Sequence, residues 1–254
     1  MTEAEWWAAT GPYEWPHHLF NWLFYVAGAS DRKSRLSCVA CCRFVEPFSG
    51  GAPFPSLLRM IEAFADGKED EDRVSRAIDS VRPSQNDQYQ ALVHTDGHPT
   101  LTEEVEDHAR SAILEAGCRY FDREWHQSRK KHPYSCYVAD HIRYAAAAAL
   151  GQRDVADRTI IHVLHDIFGP LPFRDVPIAP AWLTSDVLAL ARGIYEEKAF
   201  DRMPILADAL QDAGCDNEEV LNHCRAAGWE HVRGCWVIDL LLGKPWREGD
   251  ATPS

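Results

Sequence analysis

The stretch His231-Val-Arg-Gly-Cys-Trp-Val-Ile-Asp-Leu-Leu-Leu-Gly243 decides how the rest of this chain is read. From Cys235 to Leu242 every side chain is apolar except Asp239. Gly243 suits the position after a helix end, because glycine enters the left-handed conformation without steric penalty. A helix that is apolar nearly all round belongs in a core, so the stretch predicts a central helix over 231–243. On such a helix His231, Cys235 and Asp239 recur every four residues and share one face. Asp239 would then need a cation, since a lone carboxylate in apolar surroundings is strongly disfavoured. Arg192, Arg202, Arg225 and Arg233 are the candidates along the C-terminal half.

Working outward, the chain reads as helices joined by glycine, proline and capping residues. Thr2-Glu3-Ala4-Glu5 is a capping box that opens a short helix carrying Trp6 and Trp7. An aromatic-rich helix is expected from Pro16 to Ala27, and Ser30-Asp31 caps a third. In that third helix Leu36, Val39, Ala40 and Phe44 are expected in the core, with Arg32 and Lys33 in water. Further helices are expected over roughly 55–66, 70–81, 100–117, 135–150, 154–168, 185–195 and 202–213, with a short one from Asp216. Nothing alternates with the two-residue period of a half-buried strand. The fold class is therefore all-α: about ten helices packed as an irregular antiparallel helical bundle, with no significant sheet. Residues 1–254 are read as a single helical domain. The Pro-, Asn- and Gly-containing loop at 82–100 is the candidate sub-domain boundary.

Composition narrows the function classes. The 254 residues carry a net charge of −13, which argues against a nucleic-acid partner, because phosphate contacts need clustered Lys and Arg. No apolar run is long enough for a membrane span, and the N-terminus lacks the pattern of a signal peptide. Eight cysteines in that setting suggest reduced thiols and a cytoplasmic location. The acidic surface suits another protein as partner; the oligomeric state is not encoded in any motif.

The densest group of metal-capable side chains is Cys215, Cys224, His231 and Cys235, spaced Cys-x8-Cys-x6-His-x3-Cys. Mixed thiolate and imidazole donors suit zinc, or iron. His223 is an alternate donor, as are Cys38, Cys41 and Cys42 from the third helix. The competing reading makes these cysteines small core residues. A Cys235 nucleophile with His231 as base is a further option. Burial by Trp236, Val237 and Ile238 works against it, because a reactive thiolate needs an electropositive, partly open pocket. His162-Val-Leu-His165-Asp166 places two imidazoles at i and i+3, either toward a metal or along the wet edge of a helix. Asp140-His141 and the group Glu103, Glu104, Asp107 and His108 raise the same question more weakly. No phosphate-binding loop, nucleophile elbow or His-Glu-x-x-His occurs, so the balance leans away from an enzyme.

Several segments together resemble an uncharacterised multi-copy protein family of Gemmata-like planctomycetes. They are Ala29-Ser30-Asp31-Arg32-Lys33, Ala40-Cys41-Cys42-Arg43, Asp166-Ile167-Phe168-Gly169, Ala181-Trp182-Leu183, His223-Cys224-Arg225 and the C-terminal His-Val-Arg-Gly-Cys-Trp-Val signature at 231–237. The resemblance spans most of the chain outside about 84–140 and implies no established function or catalytic residue. The expectation from sequence is a non-catalytic acidic helical protein acting through protein–protein interaction. The alternative is a zinc- or iron-binding enzyme or sensor that uses the Cys/His group at 215–235.

Overall fold

A computed structural model describes residues 1–9, 19–20, 22–82, 101–117, 134–151, 153–226, 230–247 and 249. Among these residues the chain forms eleven α-helices and no strand. The one extended contact is an isolated antiparallel bridge between Ala29 and Arg247. The all-α expectation therefore holds. The expected boundary loop lies outside the described residues except for Arg82, and Pro16 to Asn21 contributes only Leu19 and Phe20. Trp22–Ala27 is a π-helical turn. No described helix is long and apolar enough to cross a membrane.

The helices start where the side chains supply backbone acceptors. Thr2 and Glu5 close the capping box of α1 (Glu3–Ala8). The Ser30 hydroxyl accepts from Lys33 N and starts α2 (Asp31–Val45). Asp70, Thr184 and Asn217 do the same for α4 (Glu71–Val81), α8 (Ser185–Glu197) and α10 (Glu218–Arg225). Each cap satisfies donors that the first turn leaves without an intrahelical partner. The remaining helices are α3 (Phe54–Ala65), α5 (Leu101–Ala116), α6 (Tyr134–Leu150), α7 (Arg153–Phe168), α9 (Met203–Asp212) and α11 (Trp236–Leu241).

The centre of the molecule is α2. It packs against α3, α5, α6 and α7, and its buried face includes Leu36, Cys38, Val39, Cys41, Cys42 and Val45. The 231–243 stretch is not one central helix. Only Trp236–Leu241 is helical, and His231 to Cys235 is a turn. Gly234 accounts for the break. Its φ is +95°, and a Cβ there would stand 3.0 Å from Leu36 Cδ1. The segment thus uses a conformation reserved for glycine to bring backbone close to α2.

The third helix also corrects the expected surface. Lys33 is completely buried. Its ammonium donates to the Ile167 carbonyl at 2.8 Å and the Gly234 carbonyl at 2.7 Å, and pairs with Asp239 Oδ2 at 2.8 Å. Three donors meet three acceptors, which is the full capacity of an ammonium. Arg32 donates to both Asp239 oxygens, at 2.7 and 3.0 Å, and to Tyr195 Oη at 2.6 Å and Asp66 Oδ1 at 3.0 Å. Asp239 is therefore paired as its burial required, but by Arg32 and Lys33 from the other end of the chain. The four C-terminal arginines do not reach it. Arg202 holds Glu197, Arg225 holds Asp208, Arg192 is exposed, and Arg233 Nη2 donates to the Tyr195 carbonyl. Burial alone would raise the Asp239 carboxyl, yet the charges of Lys33 and Arg32 hold it below its ordinary range.

Candidate metal centre

Asp166 sits in the last turn of α7, where the helix dipole disfavours a negative charge. Its position is therefore unsupported by the helix itself, and its partners come from elsewhere. Val232 N donates to Oδ2 at 2.8 Å and fixes the carboxylate plane. Oδ1 faces two imidazoles: His231 Nδ1 at 2.6 Å and His223 Nε2 at 3.2 Å. His223 belongs to the last turn of α10, where a cationic or donor side chain is favoured. His223 Nε2 also lies 3.2 Å from Cys235 Sγ, at the residue that precedes α11. One donor atom from each of Asp166, His223, His231 and Cys235 lies within 4.8 Å of every other.

The electrostatics follow from burial. Asp166 is completely enclosed, which would raise its pKa, but hydrogen bonds from His223 and His231 draw it far below the usual carboxylate range. It is an anion at neutral pH, so the ring nitrogens that meet it donate. His231 Nδ1 is thereby assigned the proton, and its Nε2 is buried with no hydrogen-bond partner. Burial, reinforced by the Asp166 charge, pushes the Cys235 thiol well up. Without a cation this sulfur is a neutral thiol. A metal ion would remove its proton, as it does for any coordinating cysteine.

Two imidazoles, a carboxylate and a thiol form a borderline donor set of the kind that holds zinc and neighbouring divalent transition metals. Donors about 2.0–2.3 Å from a tetrahedral ion stand roughly 3.3–3.8 Å apart. The contacts of 2.6 and 3.2 Å are somewhat shorter because hydrogen bonds draw these atoms together. An ion in place of those protons would widen the short contacts by a few tenths of an ångström and close the widest separation, up to 4.8 Å, by about 1 Å. The four residues form a candidate metal-binding group.

The structure brings together three of the residues singled out in sequence, His231, Cys235 and the alternate His223. Cys224 and Cys215 lie outside the four-atom group, although both are buried. Burial and the nearby Asp166 charge push the Cys224 thiol up to about 12. Cys38, Cys41 and Cys42 are buried on α2, and burial raises Cys41 and Cys42 well above an ordinary thiol. Asp239 does not extend the Cys235 and His231 pairing, because it is committed to Arg32 and Lys33. His108 and His141 meet through their Nδ1 atoms at 2.9 Å on α5 and α6 and form a separate pair.

The residue the spacing rules passed over is Asp166. Its signal was present in His162-Val-Leu-His165-Asp166, as an acid at the C-terminal end of an apolar helix. The two histidines of that motif hold neighbouring positions rather than the group itself. His165 donates from Nε2 to the Trp6 carbonyl at 2.9 Å and packs between Trp6 and Trp7, each ring 4.9 Å away. A neutral Nε2–H is the consistent form, because burial lowers its pKa to about 4. His162, Asp166, His223 and His231 all line a cavity of about 390 Å³. Compared with known proteins, the chain matches no family model, no curated protein and no solved structure.

Proposed function

We propose that this protein binds one divalent transition-metal ion, with zinc the best match to the donors, through Asp166, His223, His231 and Cys235. The observation that carries the reading is the convergence of four donor atoms within 4.8 Å from three separate parts of the chain. A held carboxylate oxygen supports it as well, since ligand carboxylates are oriented by a second hydrogen bond.

The alternative expectation, a non-catalytic protein acting through a protein partner, rests on the acidic charge. Among the described residues Val26, Ile205 and Tyr144 are the most exposed large apolar side chains, and they belong to three separate elements. Single exposed apolar residues are ordinary on a protein surface. The experiment for the metal reading is elemental analysis of protein loaded with zinc and dialysed. One zinc per chain is expected, with retention lost in Asp166→Asn and in Cys235→Ala. Retention of the same zinc in both variants would refute the assignment.

A further inference from the structure

We infer that the cavity beside the metal group takes a small carboxylate with an apolar body, whose carboxyl group reaches the ion from the cavity side. The inference rests on the metal reading above and adds the ligand that the site accepts. Three of the four donors, Asp166, His223 and His231, form part of the cavity wall, whereas Cys235 is completely buried and does not. An ion held by the four would thus be backed by sulfur and open toward the cavity. Four protein donors close a tetrahedral zinc site, so the carboxyl group would enter as a fifth donor, a number zinc reaches at catalytic sites.

Size and wall chemistry then define the ligand. About 390 Å³ falls within the range of pockets that enclose small organic molecules. Trp7 and Ile161 give the cavity apolar walls. A divalent ion balanced by the Asp166 carboxylate and a Cys235 thiolate is neutral overall, so the remaining lining groups set the charge preference. Asp166 is the one carboxylate among the described lining residues, and both of its oxygens are engaged by His231, His223 and Val232 N. Arg158 supplies a cation at the rim, where it also pairs with Asp154 at 2.7 Å. An anionic head on an apolar body can meet Arg158 and the ion, whereas a cationic head finds no uncommitted carboxylate among the described lining residues.

The test uses the full chain loaded with cobalt(II), whose visible bands report coordination and whose thiolate charge-transfer band reports Cys235. Phenylacetate is the probe, and phenethylamine is the cation of nearly the same shape. Phenylacetate is expected to shift the visible bands saturably, and Arg158→Glu to weaken that binding by about fivefold or more. Phenethylamine is expected to leave the bands unchanged. Cobalt bound one per chain with a thiolate band, but no response to phenylacetate up to about 50 mM, would overturn this inference and leave the metal reading standing. Equal responses to both probes, or unchanged affinity in Arg158→Glu, would also overturn it. Failure of the chain to bind cobalt or zinc would overturn both.

Discussion

Within and around the 231–243 segment, Asp239 meets Lys33 and Arg32 in one buried cluster. Asp166, His223, His231 and Cys235 converge in a second, beside a cavity. Both groups are buried, and each contains a carboxylate held below its ordinary pKa. At their centres they differ in saturation, although the first group leaves Asp66 Oδ2 at its margin with only a 3.5 Å ion pair to Arg233. Lys33 uses all three of its protons, and both Asp239 oxygens accept from Arg32. In the second group Asp166 and Cys235 are joined only through protons on His231 Nδ1 and His223 Nε2, which an ion could replace. A polar cluster whose members satisfy one another holds elements together. One joined through replaceable imidazole protons is suited to an ion.

The comparison breaks most visibly if the first cluster is not structural. Lys33 ties α2 to the end of α7, to the Gly234 turn and to α11. Lys33→Met keeps much of the side-chain volume and strips Asp239 of one partner and two carbonyls of their donor. Breaking a buried pair from one side costs about 3–5 kcal/mol, a large share of the roughly 5–15 kcal/mol that stabilises a typical domain. A urea melt of Lys33→Met should show that loss. A midpoint equal to wild type would mean that the cluster does not hold the fold.

Acid titration sharpens the same point. The Asp239 pKa is lower in the folded chain than in the unfolded one, so the unfolded state binds the extra proton as pH falls. The stabilisation from Asp239 is complete above the unfolded value, near pH 4, and is lost as pH drops through the folded value. Wild-type stability should therefore decline below about pH 4 more steeply than that of Asp239→Asn, which has no such proton to take. Parallel curves for the two proteins would remove Asp239 from the acid response.

How much of this was legible in the sequence depended on whether the information was local. Caps such as Thr2, Ser30 and Thr184, together with helical periodicity, are properties of neighbouring residues, and they placed most described helices within a few positions. The break at Gly234 was not legible. An apolar run looks helical until the approach of Leu36 and the reach of Lys33 from far upstream are known. The same limit hid the partner of Asp239, because sequence proximity favoured arginines in the C-terminal half. At the metal group, His231, Cys235 and His223 stood out by residue type. Asp166 is ordinary in composition and unusual in setting, since only the tertiary fold brings two imidazoles to a carboxylate that its own helix end disfavours.

The second cluster predicts a smaller effect that depends on an added ion. An ion that binds the folded chain alone stabilises it by about 2.7 kcal/mol at a hundredfold excess over its dissociation constant. For a chain of this size that is roughly 5–10 °C in Tm. Zinc added to the chelator-treated protein should raise Tm by that order, and a chelator should reverse it. Asp166→Asn keeps the shape but removes the charge that joins the two imidazoles, so most of the zinc-dependent rise should vanish. A rise of full size in Asp166→Asn would place the metal elsewhere and dissolve the contrast between the clusters.

The smallest effect concerns Lys244, at the margin of the saturated cluster. Its backbone N–H donates to the Asp239 carbonyl at 2.8 Å, behind Gly243 with φ +65°, and so closes α11. Its ammonium lies 4.7 Å from the centre of the Tyr195 ring and makes no ion pair with a described carboxylate. Partial burial and the charge of Arg32 lower its pKa, while Asp66 and Asp239 draw it the other way. Lys244→Ala leaves the closing backbone bond in place and removes one cation–π contact, worth about 0.5–1 kcal/mol at a partly exposed site. Relief of repulsion from Arg32 offsets part of that. A urea melt should place Lys244→Ala within about 1 kcal/mol of wild type, far from the loss expected of Lys33→Met. If the two variants are destabilised equally, saturation of Asp239 by Arg32 and Lys33 is not what distinguishes this cluster, and Lys244 has to be counted among its structural charges.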